Sequence, residues 1–144
     1  MRLMASDAFI DTSVLVAAIV ADEAYHTECD RLLDGADLGM FAHGLAETFS
    51  TLTGGRRPFR MAASAASAVI EEDYVPCLFL TSLTPTEILR AMHDAELRRV
   101  RGGGIFDYLH LVAARKAKAA RFYTLNTSNF HAFRRADDPE VLHP

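Results

Sequence analysis

One hundred and forty-four residues, half of them hydrophobic and 24% charged, fit one packed domain over 1–144 and exclude disordered and fibrous classes. No apolar run approaches the roughly 20 residues of a membrane span, and no basic stretch leads into a long apolar one at the N-terminus, so a soluble cytoplasmic protein is expected. The net charge of −4 is unevenly spread, since residues 1–53 carry 2 basic and 9 acidic groups while 54–144 carry 13 and 10.

Short apolar runs alternate with longer helical patterns, without repeats or a linker. Ala8-Phe9-Ile10 reads as a first buried strand, followed by Asp11, two hydroxyls (Thr12 and Ser13) and the apolar Val14-Leu15-Val16. Leu38-Gly39-Met40-Phe41 reads as a second strand. Leu45, Phe49 and Leu52 then mark a helix closed by Gly54 and Gly55, with Glu47 beside its apolar stripe. Ala62 to Ile70 is helix-like and alanine-rich, a composition that suits close packing and would serve a subunit contact. Cys77-Leu78-Phe79-Leu80 reads as a third strand. Thr84-Pro85-Thr86-Glu87 is a capping box with proline at the first helical position, predicting a helix towards Leu97 and committing Glu87 to the Thr84 N–H. After Gly102-Gly103-Gly104, Ile105, Leu109, Val112 and Lys116 recur at helical spacing, which puts Asp107 in the first turn. Phe122-Tyr123-Thr124-Leu125 and Val141-Leu142 read as the last strands, with Asn126 and Asn129 after the former. Alternating strands and helices specify a parallel sheet covered on both faces, so a three-layer α/β/α sandwich with a short, mainly parallel sheet is expected.

Cys29 and Cys77 stand far apart with no CxxC neighbour, which indicates reduced core thiols rather than a disulfide or zinc site. Thirteen of the fifteen basic residues are arginine, grouped at Arg56/Arg57/Arg60, Arg98/Arg99/Arg101 and Arg134/Arg135. Arginine suits bidentate phosphate contact, and Arg98, Arg99 and Arg101 are the candidates for RNA binding, although such groups are more often solvated surface.

In an open parallel sheet, ligands bind outside the carboxyl ends of the strands. Asp11, Glu47 and Asp107 all fall there. Each has a bland alternative: Asp11 as a helix N-cap, Glu47 as a surface charge, Asp107 as a complement to the helix dipole. Jointly they would converge on one sheet edge, where two carboxylates about 5 Å apart at an effective dielectric of about 20 repel by roughly 3 kcal/mol. Convergence therefore implies a cation. Oxygen ligands suit Mg²⁺ or Mn²⁺, and the lack of HExxH or Cys/His pairs argues against zinc. A metal so held meets the requirements of phosphodiester hydrolysis without a side-chain nucleophile. Asn126 would donate or orient through its amide, and Thr12, Ser13 and Asn129 would hydrogen-bond around the ligands.

These segments resemble the PIN-domain ribonucleases, specifically the small VapC-type toxins. The resemblance runs through Ile10-Asp11-Thr12-Ser13-Val14-Leu15, Leu45-Ala46-Glu47-Thr48-Phe49, Gly102 to Leu111 and Tyr123 to Phe130, in order along the whole chain. It implies a Mg²⁺- or Mn²⁺-dependent endoribonuclease with Asp11, Glu47 and Asp107 as metal-binding acids and catalytic residues together with Asn126. It also implies an RNA substrate, a cognate antitoxin that enters the acidic site, and a homodimer. Many members carry a fourth aspartate where this chain has Asn126 and Asn129, so one firmly held metal is expected and a second stays open.

Other readings are weaker. A haloacid-dehalogenase-type phosphatase needs a carboxylate where Ser13 stands, a dinucleotide fingerprint needs glycine where Asp107 stands, and a P-loop is absent. The rival from another class is a PIN-like module that binds RNA or protein without cutting, which Asn126 keeps open. The six histidines show no paired metal spacing; His110, between Leu109 and Leu111, reads as structural, and His43, four residues before Glu47, is a candidate to face the site.

Overall fold

The computed structural model describes residues 7–55 and 60–144, so Arg56 and Arg57 of the first arginine group lie outside the described residues. Among the described residues, five parallel strands form one sheet: β1 (Ala8–Ile10), β2 (Leu38–Phe41), β3 (Leu78–Thr81), β4 (Arg121–Tyr123) and β5 (Glu140–Leu142), in the order β3-β2-β1-β4-β5. Among the described residues the helices are α1 (Thr12–Ile19), α2 (His26–Gly35), α3 (His43–Thr53), α4 (Ala63–Ala68), α5 (Pro85–Asp94), α6 (Gly104–Lys116) and α7 (Thr127–Phe133). None of them is long and apolar enough to cross a membrane.

Side chains alternate across the short strands and build two cores. Ala8 and Ile10 of β1 pack with Val14, Leu15, Cys29, Leu33 and Leu38 under α1 and α2, while Phe9 packs with Tyr108, Leu111, Phe122 and Phe130 under α6 and α7. Gly39 has a packing reason, because a Cβ there would collide with the Phe9 ring. The three-layer α/β/α sandwich is thereby established. β1 sits between β2 and β4, with Ile10 opposite Met40 on one side and Tyr123 on the other. The chain winds outward from β1 to β2 and β3, then crosses back to β4 and β5. The carboxyl ends of β1 and β4 thus form the switch point where such sheets open a crevice.

Several boundaries depart from the sequence reading. Cys77 lies in a short 3₁₀ turn before β3 and is exposed, whereas Cys29 is buried, with its thiol pushed up to about 11 by that burial and by nearby acids. The β4 ladder stops at Tyr123 because Thr124 and Leu125 turn aside to meet Asp11 and Ser13. α5 starts with the expected capping box, Thr84 N–H on Glu87 Oε1 at 2.8 Å, but ends at Asp94, and the following turn buries Val100. The α3 stripe is also displaced. Its buried face is Gly44, Thr48 and Leu52, at a spacing of four, while Phe49 is 37% exposed. Small residues on that face let α3 lie close to the sheet, and Thr48 Oγ donates to the Gly44 carbonyl at 2.7 Å, so no polar group is stranded. In α4 only Ala66 is buried, and a π-helical turn (Val69–Tyr74) continues it.

Candidate active site

Asp11 is the first residue after β1, and its backbone N–H still pairs with Tyr123 O at 3.3 Å. It caps α1 in extended geometry, with Oδ1 accepting from Val14 N–H at 3.3 Å and from Ser13 Oγ at 2.5 Å, and Oδ2 accepting from Thr124 Oγ1 at 2.6 Å. The cap fixes Oδ1 and the Thr124 hydroxyl fixes Oδ2, so both carboxylate oxygens are held at the switch point. Burial pushes the Asp11 carboxyl above its ordinary range, opposed by the Ser13 and Thr124 hydrogen bonds, the His110 charge and the Val14 N–H.

Glu47 lies one turn into α3 and presents Oε1 to His110 Nε2 at 2.6 Å and to Thr12 Oγ1 at 3.1 Å. Burial opposes its ionisation, but these bonds and the neighbouring His110 and His43 outweigh burial and hold the carboxyl below its usual range. An ionised Glu47 only accepts, so His110 donates through Nε2–H. Asp107 lies in the first turn of α6, and its carboxylate has no hydrogen-bond partner among the described residues. Burial raises its pKa, the Asp11 and Glu47 charges add to that, and His110 partly offsets them.

The three acids line one cavity of about 370 Å³, shared with Thr12, Ser13, Glu23, Thr51, His110 and Asn126. The donors are carboxylate, amide and hydroxyl oxygens, the set a hard divalent cation takes. Among the described residues no three His, Cys, Asp or Glu side chains are gathered tightly enough to form a finished metal cage. The donor chemistry nonetheless suits such an ion: three carboxylates line one cavity with hydroxyl and amide oxygens, and Asp107, disfavoured as an anion first by burial and then by the Asp11 and Glu47 charges, is the acid that a cation would relieve.

The other expected site residues divide. Thr12, Ser13 and Asn126 are at the cavity. Asn129 is not: it is exposed on α7, where its N–H bonds the Asn126 carbonyl at 3.1 Å. Arg98 is turned inward, with Nη1 2.6 Å from Asp138 Oδ2 and 3.3 Å from Phe133 O and its guanidinium over the Tyr108 ring, so its role is scaffolding rather than RNA contact. Arg99 and Arg101 remain exposed in the turn before α6, where Gly102 supplies a φ of 56°. Arg134 and Arg135 also turn to backbone carbonyls, at Pro139 O (2.8 Å) and Leu97 O (2.7 Å). His43 is exposed, 3.9 Å from Glu47 Oε1.

Thr124, His110 and Glu23 were not anticipated at the site. Thr124 was reachable by the strand-end rule that selected Asp11. His110 was reachable from its place three residues after Asp107, on the same face of α6. Glu23 belongs to the turn between α1 and α2, and nothing in its local sequence marks it.

The family model of the PIN domain matches residues 8–138. Ribonuclease VapC27 of Mycobacterium tuberculosis is 29% identical over 110 residues, which is 76% of this chain and 78% of that protein. Among solved structures, Mycobacterium tuberculosis VapC20, described as a sarcin-ricin loop cleaving toxin, superposes with a TM-score of 0.69 at 23% identity, covering 92% of this chain and 99% of its own. VapBC2 from Rickettsia felis, bound to a DNA fragment from its promoter, gives 0.65 at 13% identity, covering 95% and 98%. At those identities the two structures share the fold.

Proposed function

The chain belongs to the PIN-domain family, and on that premise we propose that it is a Mg²⁺- or Mn²⁺-dependent endoribonuclease, the toxin of a cytoplasmic toxin–antitoxin pair. The observation that carries this reading is the meeting of Asp11, Glu47 and Asp107 from three separate elements in one oxygen-lined cavity at the sheet's switch point. The similarity to Ribonuclease VapC27 supports the nuclease class, and the VapBC2 fold supports a protein antitoxin as partner.

Asp11, Glu47 and Asp107 would hold the ion, one firmly bound. When bound it supplies neutralisation of phosphate charge and a water of lowered pKa, so phosphodiester hydrolysis needs no protein nucleophile. The chain's own residues set the geometry. Ser13, Val14 and Thr124 fix the Asp11 carboxylate, Thr12 and His110 fix that of Glu47, and Asn126 at the rim offers an amide to the substrate phosphate. Arg99 and Arg101, exposed in the turn leading to Asp107, would meet flanking phosphates. A homodimer is part of the proposal, with the exposed face of α4 as a contact surface.

Asn126, where a fourth acid would strengthen the site, favours the second reading, a module that binds without cutting. One comparison separates them: total tRNA and rRNA fragments incubated with wild type or Asp11→Ala in Mn²⁺, Mg²⁺ or EDTA, with new ends sequenced. New ends from the wild type only, suppressed by EDTA, are expected. Intact RNA under every condition, with folded protein free of any antitoxin, would move the assignment to the binding module.

A further inference from the structure

Glu47 is held by one oxygen. Thr12 and His110 both donate to Oε1, at 3.1 and 2.6 Å, and Oε2 has no partner among the described residues although Glu47 lines the cavity. His110 is an unusual residue to bury for packing alone. Its side chain is 2% exposed and its Nδ1 is buried without a partner, so the bond to Glu47 is what offsets the desolvation of the ring.

The surroundings are shaped for that ring. Phe41 and the ring meet edge to face at 5.4 Å between centroids and 90° between planes, and a Cβ on Gly44 would collide with Met40 Cε and come to 3.0 Å from His110 Cε1. Gly44 precedes Glu47 by three residues on α3, and His110 follows Asp107 by three on α6. A single hydrogen bond therefore ties the two acid-bearing helices together beside their acids.

We propose that His110 is a positioning residue: with Thr12 it fixes Glu47 through Oε1 and leaves Oε2 as the oxygen offered to a divalent cation in the cavity. The inference rests on the nuclease reading above. It departs from the sequence expectation of a structural histidine, and Thr12 acts on Glu47 itself.

The test uses the full chain as wild type, His110→Leu, His110→Gln and Thr12→Val. Mn²⁺ binding is measured by isothermal titration calorimetry without RNA, and kcat and KM are measured on whichever RNA the wild type cuts. His110→Leu is expected to weaken Mn²⁺ binding about 10–100-fold and to lower kcat, with KM changed less than about threefold. His110→Gln, whose amide can donate to the same oxygen, is expected to recover most of both, and Thr12→Val to lose Mn²⁺ affinity severalfold. Folded His110→Leu with wild-type Mn²⁺ affinity, or equal losses in the Leu and Gln variants, would overturn the proposal. If His110→Leu does not fold, the other two variants decide, and wild-type Mn²⁺ affinity in Thr12→Val would overturn it. Wild type that takes up no Mn²⁺ and cuts nothing would remove the nuclease reading and this inference together. Uptake and cleavage with an indifferent His110→Leu would remove this inference alone.

Discussion

Replacing Asp138 with asparagine tests the reading of the arginines. Asp138 has a fully buried side chain that accepts from Arg98 Nη1 at 2.6 Å, from Arg115 Nε at 2.8 Å and from the Arg135 N–H at 2.9 Å. Each guanidinium attracts the carboxylate by roughly 4 kcal/mol at an effective dielectric of about 20, before desolvation is subtracted. Removing the charge leaves two half-buried cations facing an amide, and breaking a buried pair in that way costs about 3–5 kcal/mol. Arg115 retains solvent access, so about 3 kcal/mol is the expected loss, or roughly 10 °C in Tm for a domain of this size. Burial disfavours the charged Asp138, but the Arg135 N–H, Arg98 and Arg115 more than compensate and hold its pKa below the ordinary 3.8. A carboxyl depressed in the folded state stabilises fully above the unfolded value and loses that contribution as pH falls through the folded one. The gap between wild type and Asp138→Asn should therefore be full at pH 6 and shrink below about pH 4. Circular dichroism melts across pH measure this, with Arg99→Ala as a surface control expected within ±0.5 kcal/mol. A loss below about 1 kcal/mol, or one equal to that of Arg99→Ala, would refute the clamp.

Asp107→Asn should abolish cleavage yet raise Tm in EDTA by about 2–4 °C, a discounted kcal/mol for a carboxylate in an open cavity. Its pKa is raised by burial and by the neighbouring acids, so wild type should gain stability relative to the variant as pH falls from 7 towards 3.8; scanning calorimetry showing no difference would count against acid crowding. Arg99→Ala with Arg101→Ala should leave Tm unchanged and reduce the salt slope of RNA binding by about 1.4, read from filter binding across ionic strength; an unchanged slope would return both arginines to ordinary surface.

Much of this was legible in sequence because the signals were local. The strand runs at residues 8–10 and 38–41 coincide with β1 and β2, since apolar runs bounded by polar residues are all that a short buried strand requires. Asp11 and Asp107 were legible for the same reason, being tied to a strand end and to a glycine turn. What escaped depends on partners distant in sequence. Thr124 counts because Asp11 stands opposite, His110 because Glu47 meets it 63 positions away, and Arg98 turns inward because Asp138 waits 40 residues away. Phe49 lies off the buried face because α3 packs on the small Gly44 and Thr48 rather than on its bulkiest apolar side chain.

The pairing of β1 with β4 also sets an order of events during synthesis. β1 leaves the ribosome well before its second neighbour and the Thr124 hydroxyl that grips Asp11 across 113 positions. At about 5–20 residues per second, several seconds pass in which β1 is an unprotected edge and its acid lacks one of its anchors. Non-local parallel pairing of this kind is slow to form in any case. The Asp11 carboxylate thus lacks its Thr124 hydrogen bond until β4 docks, and a chain cut short before residue 121 should be less stable than the whole, which circular dichroism melts would measure.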